Sequence, residues 1–108
     1  MNVANTISQM RKGILEFCVL TLVNKEEIYA SDIIKKLKDS ELIVVEGTLY
    51  PLLTRLKNAG LTSYKWVESE QGPPRKYYKI TKDGEAFLKD LKATWKQLGQ
   101  TIKTIEKQ

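Results

Sequence analysis

Residues 47–61 read Gly47-Thr48-Leu49-Tyr50-Pro51-Leu52-Leu53-Thr54-Arg55-Leu56-Lys57-Asn58-Ala59-Gly60-Leu61. Leu49, Leu52, Leu53 and Leu56 fall on one face at helical spacing, which predicts a helix from about Gly47 or Thr48 to Ala59. Gly60 stands where a left-handed residue would terminate it. Pro51 falls in or just after the first turn, where a missing amide hydrogen costs least, and some local distortion is expected. Thr48 and Tyr50 flank the inward-facing Leu49 near the helix start. Thr54, Arg55 and Lys57 follow further along.

Downstream the rhythm changes. Leu61 to Val67 roughly alternates and is rich in aromatic and β-branched residues, as in a strand. Ser69-Glu70-Gln71-Gly72-Pro73-Pro74 is turn material, and Arg75-Lys76-Tyr77-Tyr78-Lys79-Ile80 reads as the returning strand. Alternation sends one of the two adjacent tyrosines into the core. Thr81 is then a good N-cap for a long helix, with Asp83 and Glu85 in its first turn. Along that helix Leu88, Leu91, Trp95, Leu98, Ile102 and Ile105 are spaced three, four, three, four and three apart, a heptad seam.

Upstream, a helix over about Thr6 to Val23 carries Ile7, Met10, Ile14, Leu15, Phe17, Cys18, Val19, Leu20, Leu22 and Val23. Its apolar face is broad enough to predict a largely buried helix. Asn24 to Glu27 is a polar break, and Ile28-Tyr29 restarts the apolar pattern. A second helix is predicted from about Ser31 to Lys38, with Asp32 in the first turn and Ile33, Ile34 and Leu37 facing inward. Three helices followed by a hairpin is the order of a winged helix-turn-helix. The expected fold is therefore mainly α with a small β-hairpin. Residues 1–80 form the winged helix-turn-helix domain and residues 81–108 a long C-terminal dimerisation helix, in one compact unit.

A chain of 108 residues is one domain, and one that gains by burying further apolar surface in an oligomer. Eighteen Lys and Arg against thirteen Asp and Glu leave +5, which fits a polyanionic partner. The single Cys18 excludes an intrachain disulfide, and it reads as a small core hydrophobe in a reducing compartment. Histidine is absent, which removes His metal ligands and His-based catalytic triads. There is no glycine-rich phosphate loop, and the carboxylates are scattered, so neither an enzyme nor a cofactor is expected. Arg11-Lys12 before an apolar stretch superficially resembles a signal peptide. Glu16 interrupts the stretch, no small-residue cleavage site follows, and it is too short to span a bilayer. A cytoplasmic location without membrane association is expected.

The run Gly47 to Leu61, the segment Gly72-Pro73-Pro74-Arg75-Lys76-Tyr77-Tyr78 and the following Ile80-Thr81-Lys82-Asp83-Gly84 resemble the PadR-like transcriptional regulators. The wing of that family usually reads Gly, one or two variable residues, Arg or Lys, Lys, Tyr, Tyr. The double proline here departs from it and should stiffen the tip. The resemblance covers essentially the whole chain, since the single C-terminal helix also resembles that of the family's short-form members. It implies a transcriptional regulator whose third helix enters the major groove of DNA while the hairpin lies along the backbone or minor groove.

The partner expected is double-stranded DNA, contacted by Thr48, Tyr50, Thr54, Arg55, Lys65, Arg75 and Lys76. Polar and cationic groups at a helix start and on a wing can meet phosphates and base edges. Alternative roles stay open: Thr48 as a helix cap, Arg55 as an intradomain ion-pair partner, and the wing cations as a solvated tip. The heptad seam of Leu88, Leu91, Trp95, Leu98, Ile102 and Ile105 is expected to form a homodimer. Ile7 and Met10 join that interface, as the resemblance implies. Trp95 has two readings, a plain interface anchor or part of an effector site. In multidrug-sensing relatives a tryptophan at this place stacks on planar apolar ligands. The leading reading is a homodimeric repressor on a palindromic operator, and the alternative is a winged-helix module that binds protein and no DNA.

Overall fold

The computed structural model describes all residues from Met1 to Gln108. In chain order it contains helix α1 (Val3–Lys25), strand β1 (Ile28–Tyr29), helices α2 (Ala30–Asp39) and α3 (Glu46–Asn58), strands β2 (Thr62–Val67) and β3 (Arg75–Ile80), and helix α4 (Lys82–Glu106). The three helices, the hairpin and the long terminal helix are the elements expected. The winged helix-turn-helix is built on them.

Helix α1 is longer than its apolar pattern suggested, because the Asn2 side chain caps it by accepting from the Ala4 amide at 2.8 Å. It is not largely buried, as the breadth of its apolar face led one to expect. Only its C-terminal half enters the core, through Leu15, Val19, Leu20 and Val23, while every residue before Ile14 is exposed. The remaining core comes from Ile28, Ala30, Ile33, Leu37, the α3 leucines 49, 52, 53 and 56, Tyr78 and Leu88. Removing a buried leucine from such a cluster costs about 2–5 kcal/mol.

Both turns that position α3 are closed by the same device. At its end Gly60 takes φ +78°, its amide donates to the Lys57 carbonyl, and the Leu61 amide donates to the Leu56 carbonyl, each at 3.0 Å. These are the two bonds of a Schellman motif. The end of α2 repeats it with Glu41 at φ 66°, its amide donating to Lys38 and that of Leu42 to Leu37. Pro51 does not break α3, although it deprives the Gly47 carbonyl of its helical donor.

The sheet order is β1-β3-β2, all antiparallel. Strand β1 has two residues, so its alternation is too short to read in the sequence, and it exists because Ile28 and Tyr29 pair with Tyr78 and Tyr77. The hairpin register sets Tyr64 opposite Tyr78 and Trp66 opposite Lys76 on the face towards α3, and Lys65 opposite Tyr77 on the other.

The start of α4 is fastened to the end of α3. The Thr81 hydroxyl accepts from the Gly84 amide at 3.0 Å and donates to the Gly60 carbonyl at 2.6 Å, while the Thr81 amide donates to the Leu61 carbonyl at 3.1 Å. Gly84 is needed there, since a Cβ on it would land on the Leu61 carbonyl oxygen and the Ile80 side chain.

Candidate nucleic-acid interface

The α2–α3 pair and the hairpin surround a cleft of about 500 Å³ lined by Tyr29, Ala30, Ser31, Tyr50, Thr54, Trp66, Arg75, Lys76 and Tyr78. The start of α2 forms one wall, the exposed face of α3 the floor and the wing the other wall. Amides at a helix start and cations on a wing both favour a polyanion in the space between.

Tyr50 faces this cleft at 43% exposure, one position from the fully buried Leu49. Thr54 sits one turn on, its hydroxyl donating to the Tyr50 carbonyl at 3.1 Å, so its oxygen remains free to accept. Thr48 lies in the first turn of α3 and is exposed. The N-cap is Val45 without a side-chain cap bond, so Thr48 does not do the capping. Arg75 and Lys76 supply the cleft's positive charge. The Arg75 guanidinium lies 5.7 Å from the Tyr29 ring, and the Lys76 ammonium lies 4.6 Å from the Tyr64 ring and 5.4 Å from Trp66. Such cation–π contacts hold long side chains in place while leaving their charge accessible.

Two of the cations expected on DNA stand elsewhere. Arg55 points back to α1, where its Nη2 donates to the Glu16 carboxylate at 2.8 Å, so it ties the third helix to the first. Lys65 is on the outer face of the hairpin, 3.4 Å from the Glu27 carboxylate and 5.6 Å from the Tyr77 ring. Strand alternation separates it from Lys76. Conversely, Trp66 and Ser31 line the cleft and were not singled out from the sequence. The signal for Trp66 was available, because the register that buries Tyr78 puts Tyr64 and Trp66 on the same face.

Tyr78 closes the back of the cleft. Burial pushes its phenol above the ordinary tyrosine value, with Tyr64 and Tyr50 adding to the effect, so it stays neutral. Tyr77 takes the outer face, its ring centroid 4.6 Å from that of Tyr29.

The C-terminal seam divides. Leu88 is 8% exposed and belongs to the core of its own chain, and Leu91 packs partly against that core. The expectation that Leu88 faces a partner is therefore corrected: the first turns of α4 lie on α1 and have their own apolar surface to cover. Beyond them Trp95, Leu98, Ile102 and Ile105 are between 51% and 61% exposed, and Ile7 and Met10 of α1 are exposed too. Trp95 approaches Phe17 with ring centroids 6.5 Å apart. Cys18 is half-buried beside the core, and burial raises its thiol pKa, which disfavours the reactive thiolate. No group of His, Cys, Asp or Glu side chains is placed to hold a metal ion, and no helix is long and apolar enough to cross a membrane.

Comparison with known proteins places this geometry. The family model described as transcriptional regulator PadR-like family matches residues 19–90. A PadR-like transcription factor from Bacteroides fragilis is 66% identical, with 94% of this chain and 98% of that one covered and a TM-score of 0.81. A PadR family transcriptional regulator from Eggerthella lenta is 31% identical, covering 95% and 90% of the two chains at a TM-score of 0.90. Bacillus subtilis PadR, solved in complex with operator DNA, is similar in fold at 23% identity and a TM-score of 0.68, over 72% of this chain and 47% of that one.

Proposed function

As the chain belongs to the PadR-like family and is a DNA-binding regulator of transcription, we propose that it acts as a homodimeric repressor, occupying a palindromic operator through α3 and the wing. The observation that carries this reading is the cleft itself. The start of α2, the Tyr50–Thr54 face of α3 and the Arg75–Lys76 pair converge on one surface, with no acidic side chain among the lining residues. In this reading α3 enters the major groove, where Thr48, Tyr50 and Thr54 meet base edges or phosphates. Arg75 and Lys76 neutralise phosphates beside it.

Two such surfaces are needed to cover a palindrome, and the dimer supplies them. Four exposed apolar residues on one stripe of α4 are more than a lone surface helix sustains in water. Pairing them with a second copy, helped by Ile7 and Met10, sets two recognition helices about one DNA turn (roughly 34 Å) apart. Bound there, the protein excludes polymerase from the promoter and acts in the cytoplasm with no part as an enzyme. Release requires an effector that binds one dimer geometry better than the other. The Trp95–Phe17 pair, open to the partner side, suits a planar apolar molecule.

Footprinting on the DNA upstream of its own gene tests the reading. The expected result is a protected inverted repeat whose half-sites lie one helical turn apart. Binding to random duplex should weaken steeply with salt, and a flat salt response would overturn the assignment of the cleft.

A further inference from the structure

Trp66 is 61% exposed, yet it does not point away from the molecule. It stands on the wall of the cleft that faces α3, directly opposite Lys76 in the hairpin register. Its ring meets Tyr64 edge-on at a centroid distance of 6.0 Å, which fixes its orientation, and the Lys76 ammonium lies 5.4 Å from it. No other part of the chain covers it. An indole in this state loses the favourable burial that its area offers, and the Lys76 ammonium beside it favours an anionic polymer in that place.

We propose that Trp66 is an apolar contact of the wing with duplex DNA, packing on the deoxyribose edge of the strand whose phosphates Arg75 and Lys76 neutralise. Three observations converge on that occupant. The indole is continuous with the DNA-facing cleft, the side chain opposite it on β3, Lys76, is cationic, and the cleft's other aromatic edge, Tyr50, belongs to α3. The surface of one DNA strand alternates anionic phosphates with apolar sugar faces, and the wing presents cations and an indole side by side. Arginine and lysine alone give a wing whose affinity is wholly salt-dependent. An indole adds a component that persists at high salt, because burying apolar area releases no counterions. This inference rests on the cleft being the DNA-binding surface.

Fluorescence tests it directly, since the chain has two tryptophans. In a Trp95→Phe variant of the full chain, Trp66 is the only indole. With a mixed-sequence 30-base-pair duplex (a length of about three DNA turns) at low salt, anisotropy of a dye on the DNA reports binding. The neutral quencher acrylamide reports access to Trp66. Saturation with DNA should lower the acrylamide quenching constant at least about threefold, as burial of a mostly exposed indole requires. Binding without that protection overturns the role of Trp66. An absence of binding by the wild-type chain in the same assay instead overturns the DNA-binding surface itself.

A second measurement separates contact from positioning. Trp66→Ala should weaken duplex binding by about tenfold with an unchanged salt slope, and Trp66→Phe should restore most of the loss. Lys76→Ala should reduce the salt slope by about 1. If Trp66→Ala reduces the slope as Lys76→Ala does, the indole only holds the lysine and the proposal fails. Unchanged affinity in Trp66→Ala overturns it equally.

Discussion

Gly84 lies in the first turn of α4, a place where alanine is ordinarily the better residue. Here the preference reverses, because the missing Cβ is what lets the helix start press against the Leu61 carbonyl and accept the Thr81 cap. Gly84→Ala should therefore cost about 2–3 kcal/mol, as overpacking a close contact does, and urea unfolding followed by circular dichroism should show a lower midpoint. Glu41 presents the opposite case. It holds φ 66°, a left-handed conformation that costs a residue with a Cβ about 1 kcal/mol, in a position that its twin motif fills with Gly60. Glu41→Gly should raise the same midpoint, by about 0.5–1 kcal/mol. The sequence displays both residues, and it announces Gly60 as a terminator. The reason for Gly84 is not legible there, since it depends on a carbonyl that lies twenty-three positions away in the chain and arrives only with the tertiary fold.

Tyr78 adds a pH dependence at the same scale. Its phenol titrates above the ordinary value of 10.0 in the folded chain because burial disfavours the phenolate. Between the unfolded and folded pKa values the unfolded chain has released this proton and the folded chain has kept it, so stability falls as pH rises through that window. Well below pH 10 the group contributes no slope, being neutral in both states. Tyr78→Phe should flatten the alkaline decline in the urea midpoint. In spectrophotometric titration, Tyr78→Phe should remove a phenol that ionises above the ordinary tyrosine value.

At the scale of the element, the wing shows why a list of cations is not an interface. Lys65 and Lys76 are near neighbours across the hairpin, and in sequence both belong to a basic, aromatic-rich stretch. A two-residue side-chain period sends them to opposite faces, one to Glu27 and the other to the cleft. Neutralising Lys76 should lower the slope of log K against log salt for random duplex by about 1. Neutralising Lys65 should lower it far less, and a cut equal to that of Lys76 would move the DNA to the outer face. Arg55→Ala should likewise spare the salt slope, its guanidinium being engaged by Glu16. The strands and α3 were legible because each carries a full period of its pattern. Strand β1 and the exposure of the first half of α1 were not, the one being too short and the other being apolar without an intrachain neighbour.

In the whole molecule, α4 carries one uninterrupted apolar seam. The heptad pattern is visible in the sequence, but a pattern states only that the positions share a face, not whose surface covers them. The fold divides it. Leu88 is covered by its own chain, and from Trp95 onward the stripe is bare. These two stretches should answer differently to the same substitution. Leu88→Glu places a charge in a core built partly from α1, and it should abolish cooperative unfolding, because an unpaired buried carboxylate costs several kcal/mol. The double substitution Leu98→Glu and Ile102→Glu touches only exposed positions, so helical circular dichroism should survive while the mass in sedimentation equilibrium halves. For the native chain the unfolding midpoint should rise with protein concentration, as mass action requires of a dimer. A native chain that sediments as a monomer, with a midpoint independent of concentration, would leave α4 uncovered and remove the basis for reading two half-sites at once. If the native dimer stands and the double variant halves the mass, random-duplex binding should persist in the monomer through the cleft. Protection of the inverted repeat should be lost, which assigns affinity to the wing and α3 and site selection to the pairing of two copies.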